Sequence, residues 1–183
     1  MESQAAPFDA RLFRQALGLF PTGVAIVTAR MPDGARLGMT VSSFNAVSLA
    51  PPLVLFSVAE TARGYAAWAT AETFAVSILS EEQADLSTRF AKADTDKWAG
   101  LLDRTGRATD APLIPGALAS FECRAFARHP GGDHLIILGE VLALHRRPAL
   151  SPRPLVFFAS RYRALSPEAG QDAPHEIDWP QGW

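Results

Sequence analysis

With 183 residues the chain can bury a sizeable core as one domain. Hydrophobic residues make up 48% and charged residues 20%, and the net charge is −2, with basic residues scattered apart from Arg146-Arg147, which argues against nucleic acid or an anionic membrane as a partner. The single cysteine, Cys123, excludes an intrachain disulfide and fits a reducing compartment.

The opening Met-Glu-Ser-Gln-Ala-Ala-Pro has no basic segment ahead of an apolar one, so no secretory leader is expected. No apolar run reaches membrane-spanning length; residues 135–144 come nearest, and Glu140 interrupts them. A soluble cytoplasmic protein is the expectation.

Asp9 is placed to cap a helix that buries Phe13, Ala16, Leu17 and Phe20 at helical spacing, and Pro21 ends it. Residues 23–30 read as a strand, Met31-Pro32-Asp33-Gly34 as a turn, and residues 35–44 as the second strand of a hairpin. Pro51 and Pro52 open a third strand over 52–58. Residues 61–70 are expected to be helical with Tyr65, Trp68 and Ala69 on one face, and residues 73–79 to form a strand. Ser80 and Gln83 form a capping box for a helix that turns Leu86 and Phe90 inward. Residues 92–116 read as a polar connection with one helical turn near Trp98. Two long strands, 117–129 and 135–145, join at Pro130-Gly131-Gly132-Asp133, and residues 155–159 form a last strand. The tail beyond is Pro-containing and acidic with two tryptophans, disordered or an arm over a neighbour.

Many strands without βαβ alternation predict an antiparallel barrel with helical decoration. In 135–144 both faces are apolar, which predicts a cover of helices or of a second subunit.

Residues 38–58 hold the densest chemistry. Thr40, Ser42, Ser43, Asn45 and Ser48 place five short hydrogen-bonding side chains within nine residues beside apolar runs. That composition suits a flat ligand with polar edges, or a serine-rich edge strand. The chain has no Gly-x-Gly-x-x-Gly and no P-loop, so any nicotinamide or flavin must be held by another architecture. His129, Asp133 and His134 cluster at a turn but make a poor zinc set, leaving an exposed turn or a pocket mouth. Cys123 alternates with Phe121 and Ala125 as a small hydrophobe. Ser42 and Ser43 lack a nucleophile elbow. Arg89 is either a solvated helix residue or an anion clamp.

Several stretches, in order, resemble one family. They are Phe20-Pro21-Thr22-Gly23-Val24, Gly38-Met39-Thr40-Val41-Ser42-Ser43-Phe44, Val47-Ser48-Leu49 with Pro51-Pro52-Leu53-Val54, and Phe74-Ala75-Val76. Arg89-Phe90-Ala91, Gly132-Asp133-His134 with Gly139-Glu140-Val141, and Pro154-Leu155-Val156-Phe157-Phe158 with Tyr162-Arg163 complete the set. Together they resemble the flavin reductase-like proteins, the short-chain NAD(P)H:flavin oxidoreductases of two-component monooxygenases. The resemblance implies a mainly β fold with helices, the six-stranded antiparallel FMN-binding split barrel, over residues 1–165, with 166–183 as a tail. It implies a homodimer with FMN or FAD near the subunit interface, NADH or NADPH as electron donor, and a flavin-dependent monooxygenase as a possible partner. It implies flavin contacts from Thr22, Met39, Thr40, Val41, Ser42 and Ser43, with Ser48, Leu49 and Pro52 lining the site. Arg89, followed by Phe90, falls near the phosphate, and His134 beside the nicotinamide as the catalytic candidate.

One departure bears on the phosphate. Many members carry a hydroxyl-rich run after the third strand. Here it reads Ala59-Glu60-Thr61-Ala62-Arg63-Gly64, with Thr61 the one hydroxyl. Arg36, Arg63 and Arg128 could each meet a 2′-phosphate, but no motif places them. Hydride passes from nicotinamide to flavin without an obligatory protein acid or base, so positioning is the protein's expected contribution. The alternatives are a flavoprotein oxidase or oxygenase with bound FMN, and a non-catalytic flavin-binding electron carrier.

Overall fold

The computed structural model describes residues 8–93, 95–148 and 152–166. The elements run α1 (Ala10–Leu17), β1 (Thr22–Gly23), β2 (Ala25–Arg30), β3 (Arg36–Val41), β4 (Asn45–Leu49) and β5 (Pro52–Ala59). Then come α2 (Tyr65–Thr70), β6 (Thr73–Ile78), a 3-10 turn (Glu81–Gln83), α3 (Ala84–Ala91), β7 (Ala119–Pro130), β8 (His134–Arg146), β9 (Val156–Phe158) and β10 (Arg161–Arg163).

Seven strands form one antiparallel sheet in the order β3-β2-β6-β7-β8-β5-β4. The sheet curls around one interior. Val27, Val41, Phe56, Phe74, Cys123 and Ile137 come from six of its strands and share a single buried cluster. Phe56 meets Phe74 edge-on at 5.2 Å and Trp68 of α2 at 5.6 Å. Each such buried side chain contributes about 1.5–3 kcal/mol. β2 is buried on both faces. Ala25 and Val27 point into the barrel, while Val24 and Ile26 join Leu79, Phe90, Ile114 and Leu155 in a second cluster outside it.

The connection between α3 and β7 is pinned by a fully buried carboxylate. Glu122 Oε2 accepts from Ala108 N (2.9 Å), Thr109 N (2.6 Å) and Thr109 Oγ1 (2.9 Å), and Oε1 accepts from Arg107 N (2.8 Å). His145 Nε2 lies 2.6 Å from the same Oε1. Burial pushes the carboxyl pKa up, but the bonds from His145, Arg107 and Thr109 outweigh it and hold the group at about 2. A Cβ at residue 106 would stand 2.1 Å from the carboxylate, so only glycine fits there.

Several elements follow the sequence reading. Asp9 caps α1 through bonds from Arg11 N and Leu12 N, and Ser80 with Gln83 forms the capping box ahead of α3. Phe90 is fully buried. Cys123 is buried, and burial followed by the Glu122 charge pushes its thiol up to about 12, so it packs as a hydrophobe and forms no thiolate.

Other expectations need correction. The main sheet has seven strands rather than six, and β1, β9 and β10 form a separate three-stranded sheet. β3 stops at Val41 because Ser43 turns the chain, its Oγ accepting from Ser57 N at 3.0 Å; residues 45–49 then make β4. The helix expected over 61–70 begins only at Tyr65. α1 buries nothing: Phe13, Leu17 and Phe20 are 49%, 57% and 74% exposed, and the ring that meets Phe13, Phe8 at 5.2 Å, is itself exposed. The outer face of β8 is likewise open at Leu142 and Leu144. The tail from residue 167 lies outside the described residues. Among the described residues no helix is long and apolar enough to cross a membrane.

Candidate functional site

A cleft of about 780 Å³ opens between β3, residues 61–64, and the segment after α3. β3 forms its floor through Gly38, Met39 and Thr40. Gly38 is required by packing: a Cβ there would lie 2.4 Å from Phe90 Cε1 and 3.3 Å from Trp98 Cζ2. Phe90 and Trp98 meet edge-on at 5.1 Å, and the Arg36 guanidinium stands 4.6 Å over the Trp98 ring. Lys97 Nζ donates to Gly38 O at 2.8 Å, and burial lowers the ammonium pKa. Arg36, Arg63 and Lys97 face one lining carboxylate, Asp96, so the cleft favours an anion.

The cleft brings together four residues expected from the sequence: Met39, Thr40, Thr61 and Phe90. A smaller adjoining pocket of about 190 Å³ takes Thr40, Val41 and Ser42 with Phe157 and Tyr162. Thr40 Oγ1 donates to Ser87 O (2.7 Å), and Ser87 Oγ lies 2.8 Å from the Tyr162 hydroxyl, so both hydroxyls are engaged inside the protein. Val41 turns into the barrel core while exposed Ser42 borders the pocket. Thr22 pairs with Phe157 across β1 and β9, and its Oγ1 is buried without a partner in the described chain.

The remaining residues lie apart from both pockets. Ser43 holds the β5 backbone, Ser48 Oγ accepts from Ala50 N (3.2 Å), and Leu49 and Pro52 pair at the exposed turn between β4 and β5. His134 sits at the start of β8 opposite Ala59, with Nδ1 2.6 Å from Asp133 Oδ1. Glu60 N donates to Asp133 O (3.0 Å), which ties the hairpin tip to the residue next to Thr61. Arg128 bonds Ala71 O and lies off the cleft, whereas Arg36 and Arg63 line it.

The Arg89 guanidinium is engaged within the protein. Its Nη1 donates to Ala99 O (2.8 Å) and its carbonyl accepts from Thr95 Oγ1 (3.0 Å), which fastens the 95–99 wall to the end of α3. Arg89→Ala is expected to weaken FMN and riboflavin alike, by roughly 1 kcal/mol. Titration of both ligands checks this; a loss confined to FMN would assign the guanidinium to the phosphate instead.

The sequence reading missed Lys97 and Trp98 as cleft residues. The signal available was an aromatic beside a lysine, Asp96-Lys97-Trp98, inside an otherwise polar connection.

These features fit a flavin. The glycine floor and the side chains of Trp68, Phe90 and Trp98 bound a wide slot, and the cations suit a phosphate; Thr22 lines neither pocket.

Residues 17–166 match the Flavin reductase like domain. The reductase subunit HsaB of a flavin-dependent monooxygenase from Mycobacterium tuberculosis is 39% identical over 164 residues, covering 90% of this chain and 87% of HsaB. The FMN reductase (NADH) SmoA of Agrobacterium fabrum is 48% identical over 149 residues, 75% of this chain and 78% of SmoA. Among solved structures, the NADH:FAD oxidoreductase SgcE6 of Streptomyces globisporus C-1027, in complex with NAD and FAD fragments, superposes with a TM-score of 0.83 at 38% identity, over 92% of this chain and 99% of that one. With this match running through the barrel and the cleft together, the chain belongs to the flavin reductase-like family.

Proposed function

We propose that the protein is an NADH-dependent flavin reductase, taking FMN or FAD and supplying reduced flavin to a monooxygenase partner. The observation that carries it is the cationic cleft joining the β3 floor to residues 61–64 and the Lys97-Trp98 wall. A bound flavin supplies the hydride-accepting centre and the nicotinamide supplies the hydride. Met39, Thr40, Val41 and Ser42, with Thr22, hold the ring and its side chain. Thr61, Arg63 and Lys97 bring hydroxyl and positive charge to the phosphate. Trp98 and Phe90 exclude water from one wall. NADH is the donor named for both SmoA and SgcE6, which supports it here. A lone, buried thiol suits the reducing cytoplasm.

The test is direct. Purified protein is mixed with NADH or NADPH and free FMN, FAD or riboflavin, and the nicotinamide absorbance is followed. Catalytic consumption with added flavin is expected; reduction of bound flavin without turnover of added flavin would overturn the reading.

His134 serves as the nicotinamide-positioning residue in this proposal, because its hairpin is tied to the cleft wall through Glu60 and Asp133. His134→Ala is expected to raise the nicotinamide KM or slow flavin reduction by about 1–3 kcal/mol in transition-state terms. Flavin affinity should stay nearly unchanged. Stopped-flow reduction of flavin-loaded protein at several NADH concentrations reads both quantities.

The working unit is a homodimer. α1 exposes Phe13 and Leu17, and β8 exposes Leu142 and Leu144, apolar side chains that a second copy of the chain would cover. Sedimentation equilibrium should give a dimer, and Leu17→Glu should shift it toward monomer. A wild-type monomer at micromolar concentration with flavin bound would count against the dimer.

A further inference from the structure

Away from the cleft, a basin of about 260 Å³ lies between the connection ahead of β7 and the C-terminal end of β8. It shares no lining residue with the cleft. Arg104, Arg146, Arg147 and His145 line it, and no aspartate or glutamate does. Glu122 stands behind His145, 2.6 Å from its Nε2, and serves as that imidazole's counter-ion, so the excess positive charge of the basin comes from the arginines. Among the described residues the Arg104 and Arg146 guanidinium groups make no hydrogen bond or ion pair. Arg147 Nη1 has one long bond, 3.5 Å to Gly116 O, and Arg147 also borders the next depression, where Glu82 lies.

The walls are fixed although the guanidinium groups are not. Leu113 N donates to Arg104 O (2.6 Å), Arg147 N donates to Leu118 O (2.9 Å), and Glu122 pins the residues between. Ser120 lines the basin while its buried hydroxyl pairs with Ser77 Oγ at 2.9 Å. Arginines that line one basin without an ion-pair partner repel one another, and planar guanidinium forks are matched to phosphate and carboxylate oxygens.

We propose that this basin binds a small organic polyanion, a phosphate ester or polycarboxylate, as a second site independent of the flavin cleft. Arg104 and Arg146, which both line the basin, supply the principal contacts. The connection that carries Arg104 also carries Ile114, which packs with Phe90, Trp98 and Leu101 behind the cleft wall.

The test is isothermal titration calorimetry of the full chain, saturated with FMN, against pyrophosphate and against citrate at about 150 mM KCl, where long-range screening is strong. One saturable site per chain is expected. Arg104→Gln/Arg146→Gln should weaken it tenfold or more, with FMN affinity and thermal midpoint unchanged. Pyrophosphate without citrate would assign a phosphate ester; both would assign polyanions in general. Binding retained in the double variant, heat reproduced by KCl of equal ionic strength, or displacement by FMN would overturn the site. If the double variant fails to fold, Arg146→Glu alone must abolish the signal. Repeating the titration without flavin keeps failure of the flavin reading separate from failure of this one.

Discussion

Glu122→Gln should destabilise the fold by about 3–5 kcal/mol, although the side chain keeps its shape. The native carboxylate accepts from three backbone N–H groups, one hydroxyl and His145. An amide nitrogen can accept from none of them. Whichever way the glutamine turns, one end places a donor against donors in a dry site. The pH dependence gives a second readout with a defined sign. The folded-state pKa of about 2 lies below the ordinary 4.5. Its contribution, roughly 3 kcal/mol, is therefore complete above pH 4.5 and is lost as pH falls toward 2. The stability gap between wild type and Glu122→Gln should narrow over that window. Urea unfolding at a series of pH values measures it, and a gap of constant size would remove the buried charge as its cause.

The barrel was legible because its strands carry the pattern physics demands. β2, β5 and β8 read as apolar runs, and the glycine turns at 31–34 and 130–133 announced their hairpins. What escaped was set by contacts without a local signature. β10 was missed because β9 and β10 turn through Ala159 and Ser160, both at positive φ (48° and 61°), where Asn-Gly is the usual signal. Glu122 carries no local signal of burial, and only the fold brings residues 107–109 over it. Of residues 38–58, only Gly38 to Ser42 line the cleft or its adjoining pocket. Gly38 is the glycine whose purpose is visible only in three dimensions. Thr40 and Ser43, chosen for their hydroxyls, spend them on Ser87 and Ser57. Arg89 was singled out as a cation at the right helix end, and its fold partner is a carbonyl ten residues on. The opposite cation, Lys97, sat in a stretch without periodicity and drew no attention. A polar hydroxyl or charge in sequence marks the capacity to bind, while packing decides whether a ligand or the chain itself uses it.

Gly38→Ala should damage the cleft more than any single deletion of a charge. Its new methyl would lie 2.4 Å from Phe90 Cε1 and 2.8 Å from Cδ1. Phe90 is fully buried among Ile26, Leu79 and Ile114, and Trp98 closes its edge, so the ring has nowhere to turn. β3 is an edge strand, and it must move outward instead. That motion carries Gly38 O away from Lys97 Nζ and separates the floor of the cleft from its aromatic wall. Overpacking of this kind costs about 1–3 kcal/mol of stability. Flavin affinity should fall by tenfold or more, equally for riboflavin and FMN, because the wall and not one phosphate contact is displaced. A partner substitution isolates the cause. Phe90→Leu removes the ring edge that the methyl meets, at its own cavity cost. Combined with Gly38→Ala, it should restore part of the lost affinity, giving a coupling energy of about 1 kcal/mol or more between the two sites. Strictly additive losses, or wild-type flavin binding by Gly38→Ala, would mean that β3 accommodates the methyl without disturbing the site.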